Sequence, residues 1–165
     1  MQEKALKEDF VKKITGHELL IYKICRLYAY TDADRQDLFQ EIVIQLWRAF
    51  PGYRADAAFS TWMYRVAINT SISGLRKKKI FSYSVEPGNL PTQISDVSYN
   101  YENEEKLQML YSAIGKLNEI EKALVMLYLE DRSYNEIEEI LGITEGALRV
   151  KMSRIKEKLR SLTNN

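Results

Sequence analysis

Scarcities set the first limits on this chain of 165 residues. A single cysteine, Cys25, excludes an internal disulfide and a cysteine-built zinc site. Its neighbours Ile21, Ile24 and Tyr28 predict a plain buried thiol. The single histidine, His17, has no acid or nucleophile placed around it and reads as structural. No long apolar run is present, and the mixed acids and bases of the N-terminus do not resemble a signal peptide. The expected compartment is therefore a reducing cytoplasm. There is no repeat, heptad run, phosphate-cradling glycine loop, paired carboxylate cluster or triad-like constellation. The sequence thus predicts no enzyme, no cofactor, no metal site and no small-molecule substrate.

What the chain does have is apolar content, 45% of residues, enough for a real core. Its net charge of +1 hides segregation. Residues 1–60 balance, residues 61–79 carry five basic and no acidic side chains, residues 80–144 are strongly acidic, and residues 145–165 carry six basic against two acidic. Each basic island can neutralise phosphates locally, and phosphate neutralisation supplies most of non-specific DNA affinity.

The second island belongs to a stretch, residues 133–160, with the marks of a helix-turn-helix. Ser133 and Glu136 have capping-box spacing. Tyr134, Ile137, Ile140 and Leu141 form the apolar face of a short helix, and Gly142 fits a left-handed stop. Thr144 can cap a second helix, with Glu145 near its positive end. Leu148, Met152, Ile155, Leu159 and Leu162 recur there as a buried stripe. Arg149, Ser153, Lys156 and Arg160 read as the stripe facing away, flanked by Lys151, Arg154 and Lys158. Such a pair can place its second helix in a major groove. On these residues alone a conventional DNA-binding regulator fits, and so does a helical adaptor whose basic faces are merely solvated.

Upstream, residues 4–30 predict two helices broken near Gly16. Thr31 to Asp34 starts a third, with Phe39, Val43, Leu46 and Phe50 as its buried stripe and Leu38, Ile42 and Trp47 broadening the apolar surface. Pro51 and Gly52 end it, and residues 53–58 form a loop. In residues 59–79, Phe59, Trp62, Met63, Val66 and Ile72 fit one face, with Phe59 and Trp62 read as core. Tyr64, Arg65 and Asn69 fall outside it. Aromatics interleaved with cations and an amide suit unpaired bases, which stack on rings and present edges to amides; Tyr53, Asn69 and the basic tail are the contact candidates. Residues 80–101 hold Pro87, Pro91 and Gly88 and lack helical periodicity, which predicts a flexible linker. About 20 extended residues reach roughly 70 Å, about two turns of duplex. Leu107, Leu110, Tyr111 and Ile114 predict the next helix. Asn118 with Glu121 starts another, whose Ala123, Leu124, Leu127 and Tyr128 face a core. The expected fold is all-α: two small helical domains joined by a flexible linker, the second a four-helix domain containing the helix-turn-helix.

Taken together, the segments DADRQDLFQEIVIQLWRAF (32–50), FSTWMYRVAINTSISGLRKKK (59–79) and residues 117–160 resemble bacterial RNA polymerase sigma factors of the extracytoplasmic-function (ECF) class, in the sigma-70 family. The resemblance implies residues 1–79 as region 2, residues 80–101 as linker and residues 102–165 as region 4. It implies polymerase binding by Asp37, Leu38, Gln40, Glu41 and Trp47. For −10 DNA it implies Tyr53, Arg65, Asn69, Arg76, Lys77 and Lys78, with Tyr53 and Asn69 lining a pocket for a flipped base. For −35 DNA it implies Arg149, Lys151, Ser153, Arg154 and Lys156. Core RNA polymerase, promoter DNA and an anti-sigma factor are the implied partners, without direct membrane insertion. The chain departs from the family's common pattern at Ala147 and Leu148, which stand for Thr-Val, and at Val150, which stands for a serine. The stop at Asn165 suggests no C-terminal sensory extension.

Overall fold

The computed structural model describes residues 1–81 and 101–163, with side chains described for residues 1–75 and 105–163. Among these, all regular structure is helical. The helices are α1 (Gln2–Gly16), α2 (Glu18–Tyr28), α3 (Asp32–Ala49), α4 (Phe59–Phe81), α5 (Tyr101–Gly115), α6 (Glu119–Leu129), α7 (Tyr134–Leu141) and α8 (Glu145–Thr163), with a 3₁₀ turn at Phe50–Gly52. The chain divides into two compact units, Met1–Leu90 and Pro91–Asn165. α4 continues two residues past the expected domain end, to Phe81; residues 82–100 of the expected linker lie outside the described residues.

In the first unit α2, α3 and α4 pack against one another. His17 separates α1 from α2, with its Nδ1 2.8 Å from the Lys13 carbonyl oxygen. Thr31 caps α3 by accepting from the Asp34 amide at 3.1 Å. The α2–α3 corner is fastened by Arg35, whose Nε donates to the Ala29 carbonyl oxygen at 3.0 Å. The buried stripe of α3 differs from expectation. Ile42 and Leu46 are fully enclosed and Phe50 is buried, whereas Phe39 and Val43 are half-buried. Phe39 is stacked on exposed Tyr22, ring centroids 4.6 Å apart.

α4 is also rotated from the expected face. Its core residues are Met63, Tyr64, Ala67, Ile68, Ser71 and Ile72, spaced i, i+1, i+4, i+5. Tyr64, expected outside, is 1% exposed, and Phe59 and Trp62, expected in the core, are half-buried. The rotation is possible because the small polar residues satisfy themselves locally. Ser71 Oγ donates to the Ala67 carbonyl oxygen at 2.8 Å, which lets a hydroxyl be buried without loss.

Cys25 is buried as expected, and burial pushes its thiol up to about 11, with the Arg35 charge opposing. The folded state thus holds the proton more tightly than the unfolded chain. The stabilising contribution is complete below about pH 9 and declines as pH rises towards 11. Cys25→Ala should therefore flatten the alkaline loss of stability, measured by urea unfolding between those pH values. An unchanged slope would remove this assignment.

In the second unit α5, α6 and α7 all pack on α8. A complete capping box starts α6: the Glu121 amide donates to Asn118 at 2.9 Å, and the Asn118 amide donates to the Glu121 carboxylate at 3.1 Å. At α7 only half of the expected box forms. Ser133 Oγ accepts from the Glu136 amide at 3.2 Å, while the Glu136 carboxylate is drawn to Arg132, also at 3.2 Å. α6 is enclosed over Lys122–Leu127, the pattern of a helix buried nearly all round. Tyr128, expected in this core, is 37% exposed.

Candidate polymerase and nucleic-acid interfaces

The turn of the helix-turn-helix depends on Gly142, at φ +72°, a conformation that an L side chain would strain. α8 then begins with two amides satisfied from outside the helix. The Ala147 amide donates to Thr144 Oγ1 at 3.4 Å, and the Glu145 amide donates to the Glu138 carboxylate at 3.2 Å. Leu148, Met152 and Ile155 anchor α8 in the core, and Leu159 and Leu162 are half-buried.

All five expected −35 residues, Arg149, Lys151, Ser153, Arg154 and Lys156, are exposed. Two of them are not free-standing. Arg149 is paired with Glu145 at 2.7 Å and lies over the Tyr134 ring, 4.6 Å from its centroid. The hydrogen bond to Glu145 holds its guanidinium above the ordinary arginine range. Lys156 donates to the Tyr128 hydroxyl at 3.1 Å and sits 4.7 Å from that ring's centroid. At about 100° per residue, Arg149 and Lys156 lie roughly a quarter turn from the buried stripe, on the flank towards α6 and α7. The residues opposite the core are Gly146, Val150, Ser153, Arg154 and Glu157. The outward stripe expected from the sequence is therefore displaced: Arg149 and Lys156 are flanking, and Val150, 51% exposed, is central.

In the first unit the half-buried rings form a continuous platform. Tyr53 lies 5.0 Å from Trp62 and 5.7 Å from Phe59, and Phe59 lies 5.5 Å from Trp62 and 5.0 Å from His17. The Tyr53 hydroxyl donates to the Ala57 carbonyl oxygen at 3.0 Å, tying the ring to its own loop. That loop holds Ala55 at φ 59°, left-handed backbone that is uncommon outside glycine. Phe59, Trp62, Val66 and Asn69 follow a 3-4-3 spacing along α4, so the platform continues to exposed Asn69, and exposed Arg65 lies one turn before it.

On α3, Asp37, Gln40 and Glu41 are exposed, and Leu38 and Trp47 are half-buried. The Trp47 ring packs 5.1 Å from Phe10 of α1. Ile44, 44% exposed, occupies the middle of the arc between Asp37, Gln40 and Glu41.

Two family models match the chain: sigma-70 region 2 over residues 14–80 and sigma-70 region 4 over residues 107–159. The ECF RNA polymerase sigma-E factor of Escherichia coli is 31% identical over 135 residues, covering 75% of this chain and 71% of that protein. The chain belongs to the ECF class of sigma-70 factors. Members of this family are promoter-recognition subunits and not enzymes. The RNA polymerase sigma-H factor of Pseudomonas aeruginosa is 43% identical over 44 residues, but the chain spans only 23% of its length, with 27% of this chain matched. A solved complex of the sigma factor RpoE with the anti-sigma factor NepR from Bartonella quintana shares the fold. It has a TM-score of 0.73 and 16% identity, and covers 95% of this chain and 98% of that one.

In this sigma factor Tyr53 packs into the ring cluster of Phe59 and Trp62, Asn69 is exposed two turns beyond Trp62 on the same side of α4, and Asp37, Gln40 and Glu41 share one side of α3. The side chains of Arg76, Lys77 and Lys78 lie outside the described residues. Sequence reasoning missed Trp62 and Phe59 as surface groups and Ile44 as part of the α3 face. For Trp62 the available signal was the small residues Ala67 and Ser71, which mark the true core side of α4. Among the described residues, no cluster of three potential metal ligands occurs, and no helix is long and apolar enough to cross a membrane.

Proposed function

We propose that the chain is a dissociable sigma subunit that binds core RNA polymerase and directs promoter-specific initiation. The observation that carries this reading is the separation of two unlike surfaces, each within a stretch that matches a sigma region. One is an aromatic face bearing an exposed amide, suited to unpaired bases. The other is a capped helix with a cationic exterior, suited to a major groove. In this reading residues 1–79 act as region 2 and residues 102–165 as region 4, joined through residues 80–101. α3 docks on polymerase through Asp37, Leu38, Gln40, Glu41 and Trp47, with Ile44 added. Tyr53, Arg65, Asn69 and the Arg76–Lys78 tail engage −10 DNA. Arg149, Lys151, Ser153, Arg154 and Lys156 engage −35 DNA. The protein works in the cytoplasm, and an anti-sigma factor restrains it, as the complex of its fold relative with NepR suggests.

The test adds purified protein to core polymerase and a library of promoter fragments. Promoter-dependent initiation is expected. Duplex binding without polymerase association would point instead to a conventional regulator. Ile44→Asp should weaken association with core polymerase while circular dichroism is unchanged, because it places a charge in the apolar centre of the docking face.

A further inference from the structure

We propose that Val150 contacts the C5 methyl of a thymine in the −35 element, making it a specificity determinant at the centre of the DNA-facing side of α8. This rests on the reading of α8 as the duplex-reading helix. A single exposed valine is ordinary on a protein surface; its position is what distinguishes this one. Val150 lies nearly opposite the Leu148–Met152–Ile155 stripe, so it approaches a groove most closely when α8 enters with its core side outward. The preceding turn offers only Gly146 and Ala147, both exposed, which allow the backbone close to base edges. Exposed Lys151, Ser153 and Arg154 surround it with polar and cationic groups suited to phosphates and edges.

The chemistry narrows the ligand. A valine side chain neither donates nor accepts, and the apolar feature of the major-groove edge is the thymine methyl. Any other base would press a donor or acceptor against the isopropyl group, and that group would lose water without gaining a partner. The branched side chain is already confined near one χ1 rotamer in a helix, so ordering it on binding costs little. Glu157 lies on the same line two turns later, exposed and repelled by phosphates.

The experiment uses the full chain assembled with core polymerase and promoter duplexes enriched from a random library. Each −35 thymine is replaced in turn by deoxyuridine, which removes the methyl and keeps every hydrogen-bonding group. With the native sequence, one position should lose about three- to fivefold in affinity, the worth of one buried methyl group. Val150→Ser should abolish that loss at the same position. Val150→Ala, a stronger helix former whose single methyl reaches less far, should shrink the loss without abolishing it, which separates the contact from helix stability. Insensitivity to deoxyuridine at every position, or equal sensitivity in native and variant proteins, would overturn the methyl contact while leaving promoter recognition intact. Failure to enrich any promoter would overturn the sigma reading and the contact together.

Discussion

Truncating Leu148 to alanine is expected to destabilise the C-terminal unit by about 3 kcal/mol, within the range for a buried leucine that leaves a cavity. Leu148 has no exposed surface and sits in the first turns of α8. It belongs to the same buried set as Leu124, Leu127, Ile137, Ile140, Met152 and Ile155. A unit of this size has few kcal/mol in reserve, so the variant should be partly unfolded near physiological temperature. Urea unfolding of the full chain measures the change. Leu159→Ala, at a half-buried position of the same helix, should cost less than half as much. A Leu148→Ala protein within about 1 kcal/mol of the native chain would show that the α7–α8 contact tolerates collapse around the gap.

Trp62→Ala should reduce promoter opening roughly five- to 150-fold while polymerase recruitment to duplex falls far less. The magnitude is that of losing one base-stacking ring, about 1–3 kcal/mol. The indole lies at the middle of the ring platform, within 5.0–6.2 Å of Tyr53, Phe59 and Phe50. Truncation therefore removes both a stacking surface and the support of its neighbours. Trp62→Phe keeps a ring and should recover most of the activity. Permanganate reactivity of unpaired thymines, divided by the amount of bound promoter, isolates the opening step. Equal losses in recruitment and opening would mean that the platform only holds the fold together.

Both residues bear on what the amino-acid order reveals. Leu148 is legible because α8 is strongly amphipathic and its apolar positions need only helical spacing to be grouped. The same holds for Gly142, whose left-handed backbone follows from its place after Leu141. Trp62 is misassigned when large aromatics are given to the core by default. In α4 the inward side is instead built partly from Ala67 and Ser71, residues whose burial rests on close packing and on a local hydroxyl-to-carbonyl bond. Tyr128 is misassigned for a related reason, since an amphipathic ring can cover a core edge while its hydroxyl reaches out. The outward line of α8 is displaced because, at about 100° per residue, Arg149 and Lys156 stand only a quarter turn from the Leu148–Met152–Ile155 stripe and not opposite it. The ring contacts of Arg149 and Lys156 fix it.

Those two ring contacts also bear on time. Arginine and lysine side chains normally give up as much as about 2 kcal/mol of rotamer freedom when a partner fixes them. Here Tyr134 and Tyr128 already confine both heads along the flank of α8. A helix whose cations are held before contact loses less order on docking. It should discriminate among upstream sequences chiefly by how long it stays on each one, and only weakly by how fast it arrives. On the proposed reading of α8 as the −35 helix, the two tyrosines act as rests for cations on the flank of its reading side.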